Sequence, residues 1–187
     1  LKVAVPASPY DAKGLLIAAV KGGGPVMFCE HRWLYDFKGY VPEEMYKAPF
    51  GQAVVRRAGT DVTIVAVSLM VYEAVKAARE RDAEGISGEV INPRTIKPLG
   101  MAAVMASIKK TGRLIVADAG HVMTGISAEI AAQAAERGFE HLKAPVARVG
   151  LPDAPTPAAP ALAKAFYPGV EDIKRAARRL TGRGGVR

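Results

Sequence analysis

Apolar runs and helix-spaced apolar residues alternate along the chain from residue 62 onward. The unbroken run Val62–Val67 is typical of a strand buried on both faces of a sheet. Three further short runs predict strands: Glu89–Ile91, Leu114–Ala117 and Val146–Val149. Between them, apolar residues recur at spacings of three and four, which predicts amphipathic helices. The helical sets are Val71, Ala74, Val75 and Ala78; Met101, Val104, Met105 and Ile108; Ile126, Ile130, Ala131 and Ala134; and Val170, Ile173, Ala177 and Leu180. This alternation predicts an α/β fold, an open and mostly parallel sheet with helices on both faces.

Two proline positions bear on the boundaries of these elements. Pro98 precedes the second helical set, and we place the start of that helix there. The stretch Leu151–Pro160 holds four prolines and is predicted to be an extended loop before the last helix.

The first residues predict a strand, a helix and a strand. The strands are Val3–Val5 and Val26–Cys29, and the helix between them is expected to be capped by Asp11 and ended by Gly22–Gly24. Because Cys29 falls in an apolar strand, it is expected to be a small buried hydrophobe.

From Glu30 to Pro49 the pattern dissolves into a long loop rich in aromatic and charged residues. Compact domains rarely hold such loops unless the loop is functional or links domains. We therefore predict a domain boundary near Gly51. Residues 1–50 would be the tail of one α/β domain with its linker, and residues 51–187 would form a second domain.

Composition describes an ordinary globular chain: of 187 residues, 50% are hydrophobic and 24% are charged. No apolar run approaches the roughly 18 residues that span a bilayer, so a membrane partner is not expected. The chain opens in mid-pattern at Leu1, from which we expect a further amino-terminal portion. The single cysteine excludes an internal disulfide and favours a cytoplasmic location.

The net charge of +8 raises the question of nucleic acid. Much of the excess lies after Asp172, in residues Lys174, Arg175, Arg178, Arg179, Arg183 and Arg187. No stacking aromatic residue or recognition motif accompanies this run, so a solvated helix face is the favoured interpretation and no nucleic-acid partner is predicted.

Polar residues follow several predicted strands, where open α/β sheets bind ligands. They are Glu30–Arg32, Ser68, Asn92 and Asp118–His121. The two acid and histidine pairs could serve acid–base catalysis, but loop or interface roles are favoured. Gly22–Gly24 follows a helix instead of opening one, so it is not a phosphate loop.

Several longer blocks carry a resemblance to a known family. In order they read VPASPYDAKGLLIAAV, PVMFCEHRWLY, VPEEMYKAPFGQAVV, GTDVTIVAVS, EVINPRTIKPL, SIKKTGRLIVADAG, GISAEIAA, LKAPVARVGLPDAPTP and FYPGVEDIKRA. The chain resembles, over almost its whole length, the carboxy-terminal portion of the β subunit of thiamine-diphosphate-dependent 2-oxo acid dehydrogenases, the pyruvate, branched-chain and acetoin dehydrogenases.

The resemblance implies that the two parts of the chain belong to different domains of a larger enzyme. Residues up to about Phe50 are similar to the end of a pyrimidine-binding domain, and residues from about Val54 onward resemble the transketolase-type carboxy-terminal domain. The family's catalytic and thiamine-binding groups lie upstream, so no catalytic or cofactor-binding residue is carried over to this chain. The whole enzyme would use thiamine diphosphate and magnesium. Its partners would be an α subunit, a second β subunit and a lipoyl acyltransferase core.

One family site maps onto this chain. Some members bind potassium through backbone carbonyls after the helix that begins YDAKG, which implies Ala19, Val20, Gly22 and Gly24 as ligands here. Carbonyl oxygens suit a hard cation.

The resemblance leaves two alternatives open. Asn92-Pro93 and Ala117-Asp118-Ala119 depart from the usual pattern, so the 2-oxo acid is not specified. A transketolase or deoxyxylulose-phosphate synthase relative shares the second domain, although YDAKG and EHRWLY favour the dehydrogenases. A stand-alone assembly module without chemistry is the other alternative.

Overall fold

The computed structural model describes residues 1–183, which form two β-sheets and six α-helices. The strands are β1 (Lys2–Ala4), β2 (Val26–Phe28), β3 (Val54–Arg57), β4 (Val62–Ala66), β5 (Gly88–Asn92), β6 (Thr95–Lys97), β7 (Leu114–His121) and β8 (Ala147–Leu151). The helices are α1 (Pro9–Lys21), α2 (Met70–Asp82), α3 (Met101–Thr111), α4 (Ile126–Gly138), α5 (Pro160–Phe166) and α6 (Val170–Thr181), with short 3-10 turns at Arg32–Leu34 and Phe139–His141.

The larger sheet has five strands in the order β3-β5-β4-β7-β8. Strands β5, β4, β7 and β8 pair in parallel, and β3 pairs antiparallel to β5 at one edge. This confirms the predicted open, mostly parallel α/β sheet.

Side chains of the central strands point alternately to two apolar cores. On β4, Ile64 joins the core under α2 and α6, whereas Val65 joins the core under α3 and α4. On β7, Ile115 and Val116 divide in the same way. Because both faces are covered, the strands read as unbroken apolar runs.

The smaller sheet has the order β2-β1-β6. Strand β1 pairs in parallel with β2, and β6 pairs antiparallel on the other side of β1. A strand from residues after Gly51 therefore completes the sheet of the first residues. The core here is small, with Ala4, Leu15 and Ala48 fully buried.

Several local expectations were wrong. The helix expected at Pro98 begins at Met101, because the main chain first turns through Leu99, whose carbonyl accepts the N–H of Met101 at 3.0 Å. Edge strands β3 and β6 and helix α5 were not predicted, since none carries a long apolar run. Cys29 lies just beyond β2 and is exposed, not buried.

Across residues 1–183, none of the helices combines the length and the apolar character that a bilayer crossing needs.

Candidate functional site

The start of α1 is built by Ser8, not by Asp11. The Ser8 side chain accepts the backbone N–H of Asp11 at 3.1 Å, and Pro9 occupies the first helical position. Ser8 is thus the N-cap and Asp11 lies inside the first turn. The carboxylate of Asp11 is free to face away from α1.

That carboxylate is fully buried and meets three side chains from the region after Gly51. Oδ1 accepts Nε of Arg94 at 2.8 Å, and Oδ2 accepts Nδ2 of Asn92 at 3.0 Å and also pairs with Arg56. The side-chain oxygen Oδ1 of Asn92 accepts a hydrogen bond from the backbone N–H of Arg94 at 2.9 Å. We call Asp11, Arg56, Asn92 and Arg94 the Asp11 cluster.

The Asp11 cluster joins α1 to the edge of the larger sheet. Arg56 lies on β3, Asn92 ends β5, and Arg94 follows it with a positive φ of 63°. Removing one partner of a buried ion pair typically destabilises by about 3–5 kcal/mol, because the other charge stays buried and unpaired. The cluster is therefore a strong determinant of how α1 sits on the sheet.

The rest of the YDAKG string binds the long loop. The rings of Tyr10 and Tyr46 stack with centroids 4.4 Å apart, and the Tyr46 hydroxyl donates to the Tyr10 carbonyl at 2.8 Å. Gly14 accepts the N–H of Ala48 at 3.0 Å. A Cβ on Gly14 would lie 2.7 Å from the Tyr46 ring, so only glycine permits this approach. Lys13 donates to the carbonyl of Glu43 at 3.0 Å.

Glu30 and His31 line a cavity of about 240 Å³ at the carboxyl ends of β1 and β2. Nδ1 of His31 accepts the N–H of Trp33 at 3.3 Å, and partial burial lowers the pKa of His31 below its ordinary value. Glu30 accepts the Tyr35 hydroxyl at 3.3 Å. In residues 1–183 no hydrogen bond joins Glu30 to His31, so the structure does not assemble them as an acid–base pair.

Asp118 and His121 lie on the last part of β7 and are also apart. Burial raises the pKa of Asp118, and the backbone N–H groups of Gly120 and Ala119 act in the opposite direction. His121 is exposed, with Nδ1 at 2.9 Å from the carbonyl of Pro152. A partly buried acid with a raised pKa is suited to holding a proton, but within residues 1–183 no basic side chain forms a hydrogen bond or ion pair with it.

The remaining strand-end residues serve local structure. Ser68 follows β4 with a φ of 52°, and its carbonyl accepts the N–H of Val71 in the first turn of α2. Asn92 belongs to the Asp11 cluster. Of the strand-end residues, the structure brings only Asn92 into a network of charged side chains.

The four potassium-ligand candidates lie around the end of α1. Ala19 and Val20 belong to its last turn, and Gly22 is the C-cap, whose N–H donates to the Ala19 carbonyl at 3.2 Å. Gly23, between Gly22 and Gly24, has a φ of 65°. Carbonyls at a helix end carry partial negative charge, which suits a cation, although the Ala19 carbonyl already accepts the N–H of Gly22. The Lys2 ammonium lies close by, however: its nitrogen is 3.7 Å from the position that a Cβ added to Gly22 would take.

Two members of the Asp11 cluster, Arg56 and Arg94, were not identified from the sequence. The signal for them is weak: each is a charged residue beside a short strand, and neither shares a motif with Asp11. Within the described range 1–183, no three His, Cys, Asp or Glu side chains converge closely enough to hold a metal ion.

Comparison with known proteins gives consistent matches. The family profile described as "Transketolase, C-terminal domain" matches residues 51–173. The chain is 44% identical over 185 residues to the acetoin:2,6-dichlorophenolindophenol oxidoreductase subunit beta of Cupriavidus necator, which covers 99% of this chain and 54% of that protein. It is 42% identical over 181 residues to the pyruvate dehydrogenase E1 component subunit beta of Bacillus subtilis, covering 96% and 55%. The chain thus spans about half the length of the curated relatives it matches.

A solved structure extends the similarity to the fold. It is described as a split gene transketolase, inactive beta4 tetramer, and it superposes with a TM-score of 0.79 at 25% identity, covering 97% of this chain and 57% of that one. The profile match takes in about two thirds of the sequence and includes the whole five-stranded sheet. The chain belongs to the transketolase C-terminal domain family.

Proposed function

We propose that this chain forms the carboxy-terminal part of the β subunit of a 2-oxo acid dehydrogenase, within the thiamine-diphosphate-dependent component that decarboxylates the substrate. The observation that carries the proposal is the 42% identity maintained over 181 residues, across both sheets, with the pyruvate dehydrogenase E1 component subunit beta of Bacillus subtilis. Oxidative decarboxylation would end in acyl transfer to lipoyl groups. The cytoplasm is the proposed location.

Thiamine diphosphate with magnesium would supply the nucleophilic carbon that adds to the 2-oxo acid in the whole enzyme. The residues of this chain do not fit that group. In residues 1–183 no carboxylate cluster is available for magnesium, and Gly22–Gly24 lies at the C-terminal end of α1, where carbonyls and not N–H groups are free. We therefore assign no catalytic step to this chain.

The proposed contribution is subunit assembly and docking. The partners would be an α subunit, a second β subunit and the lipoyl acyltransferase core. Exposed apolar residues favour such contacts: Trp33 is 58%, Tyr40 83% and Met45 67% exposed. These residues all lie in the loop that the YDAKG string holds against α1.

The domain division near Gly51 is part of the proposal. Residues 1–50 would close a pyrimidine-binding domain, and residues from 51 onward would form the transketolase-type domain. Potassium at the carbonyls of Ala19, Val20, Gly22 and Gly24 is proposed as a structural ion.

A chimera tests the function. The amino-terminal half of the Bacillus subtilis pyruvate dehydrogenase β subunit would be fused ahead of Leu1. The resulting chimera would be purified together with the α subunit of that enzyme. Decarboxylation of pyruvate and of branched-chain 2-oxo acids, and reduction of 2,6-dichlorophenolindophenol with acetoin as substrate, would be assayed beside the native β subunit as the matched control. We expect activity from the chimera toward at least one substrate. We expect neither turnover nor calorimetric binding of thiamine diphosphate with magnesium by this chain alone, and micromolar binding by it would contradict the proposal.

A second candidate follows from the solved relative. Because that relative is described as a split transketolase in an inactive tetramer, a transketolase-type or non-catalytic assembly role is the alternative. An assembled but inactive chimera would favour it.

A further inference from the structure

A cavity of about 440 Å³ lies between the end of β8, the turn after α5 and one face of α6. Its charged lining comes from Arg148, Arg175, Arg179 and Asp172, and its aromatic lining from Phe166 and Tyr167. The volume falls in the range of small-molecule sites, about 300–1,000 Å³. We call it the arginine cavity.

The two faces of α6 differ in how their cations are neutralised. Toward α2, Lys174 pairs with Glu80 at 2.8 Å and Arg178 pairs with Glu84 at 2.9 Å. Toward the cavity, Arg179 makes no hydrogen bond or ion pair within residues 1–183. The sequence favoured a solvated helix face, and Arg179 is exposed as that interpretation expects, whereas Lys174 and Arg178 have acidic partners. Arg187 lies outside the described residues.

The single carboxylate of the cavity is already engaged. Asp172 accepts the N–H of Gly169 at 3.0 Å and pairs with Arg175. Three guanidinium groups thus face one carboxylate whose oxygens both have partners. Among the lining side chains, Asp172 offsets one of the three guanidinium groups, so the arginine cavity keeps a net positive charge.

The walls of the cavity are held in place. Arg148 donates from one terminal nitrogen to the carbonyl of Val122 at 2.8 Å, which fixes the guanidinium while leaving its other donors available. The rings of Phe166 and Tyr167 meet edge to face at 5.6 Å, and Trp33 packs on Tyr167 at the same distance. Positioned donors bind an anion with less loss of conformational entropy than free ones.

We propose that the arginine cavity binds a small phosphate-bearing molecule. Guanidinium groups match phosphate oxygens in a planar, two-point geometry, and such charge-assisted hydrogen bonds are stronger than neutral ones. The aromatic walls provide apolar contact for the rest of a ligand. This goes beyond the proposed function, which assigns none of these residues a part in decarboxylation or in holding its cofactor.

The test is calorimetric titration of the full chain with inorganic pyrophosphate at low salt. Arg179→Gln removes one guanidinium from the cavity, and Arg137→Gln is the matched control, because Arg137 is an exposed residue of α4 outside the cavity. One charge-assisted bond corresponds to a roughly tenfold or greater change in affinity. We expect Arg179→Gln to weaken binding by about tenfold or more and Arg137→Gln to leave it within about twofold.

Three results would overturn the proposal. They are equal weakening by both variants, absence of binding at millimolar pyrophosphate, and tighter binding of a glutamate-rich peptide than of pyrophosphate at the same salt concentration. The last would identify the cavity as a contact for an acidic protein. Because Arg179 is exposed and makes no hydrogen bond or ion pair within residues 1–183, its variant should keep the thermal midpoint of the parent chain, which circular dichroism checks.

Discussion

The segment of residues 1–50 and the segment of residues 51–183 are held together by different forces. The second segment has two apolar cores, one on each face of a five-stranded sheet. The first has a core of only three buried residues and exposes several large aromatic side chains. Its position depends instead on the Asp11 cluster, on the stacked rings of Tyr10 and Tyr46, and on the pairing of β1 with β6 from the second segment. Apolar burial is tolerant of small shifts in geometry, whereas a buried charge network is not.

The largest effect should come from Asp11→Asn, which keeps the shape of the side chain and removes its charge. Because Arg56 and Arg94 would lose their buried counter-ion, we expect about 3–5 kcal/mol less stability for the attachment of α1. Hydrogen exchange should accelerate in α1 while β4 keeps its protection, and limited proteolysis in the loop from Trp33 to Pro49 should become faster.

Asp36→Asn is the control for this substitution, since Asp36 is an exposed acid of the same loop. Equal exchange rates in the two variants would show that the cluster does not hold the first segment. First cleavage within residues 62–149 would contradict a boundary near Gly51.

A smaller effect is expected from Gly14→Ala. Glycine to alanine inside a helix normally stabilises by about 1 kcal/mol. Here the new methyl group would lie 3.0 Å from the backbone nitrogen of Ala48 and 2.7 Å from the Tyr46 ring. We therefore expect the opposite sign, a loss of about 1–3 kcal/mol from overpacking, measured by urea unfolding.

Gly39→Ala provides the comparison, because its Cβ would meet only the Pro9 side chain at 3.5 Å. A neutral result for both substitutions would mean that the loop moves away from α1 freely, so that its packing on Gly14 contributes little to holding the first segment.

The smallest effect concerns potassium. If the carbonyls at the end of α1 bind it, potassium should raise the thermal midpoint more than sodium at equal ionic strength. At a potassium concentration about five times the Kd, binding would add about 1 kcal/mol to the free energy of unfolding. In a chain of this size that corresponds to roughly 2–4 °C in the thermal midpoint. The Lys2 ammonium lies near Gly22 and would repel a second cation there, so the shift should be at the lower end. Identical midpoints in the two salts would remove the site from the proposal.

The sequence was sufficient for the four parallel strands of the larger sheet, because the central ones are buried on both faces. Burial of that kind leaves an unbroken apolar run such as Val62–Val67, which has few alternative interpretations. Edge strands leave no such run: β3 contains Arg56 and Arg57 within four residues. A partner across the fold, not the local pattern, makes that stretch a strand.

The Asp11 cluster illustrates a different limit. Asp11 and Arg94 are separated by 83 residues in the sequence. Their pairing depends on how the fold brings the first turn of α1 next to the end of β5. A single sequence gives no spacing rule for such a contact. The expectation that Asp11 capped its helix was wrong for a local reason, because Ser8 already occupied the N-cap position. The resemblance marked YDAKG as important without giving the reason, and the structure supplies one.

Strand β6 carries a consequence for modular exchange of these segments. It lies at residues 95–97, well inside the second segment, yet its main-chain partner is β1. A protein recombined at Gly51 would therefore take two hydrogen-bonded strands from different parents, and a chain cut at Gly51 would leave β6 without β1, as an open edge of the kind that templates aggregation. A crossover placed ahead of Lys2 keeps the pair intact. When segments are exchanged among relatives, strand pairing, and not the loop that divides the sequence pattern, determines which residues must stay together.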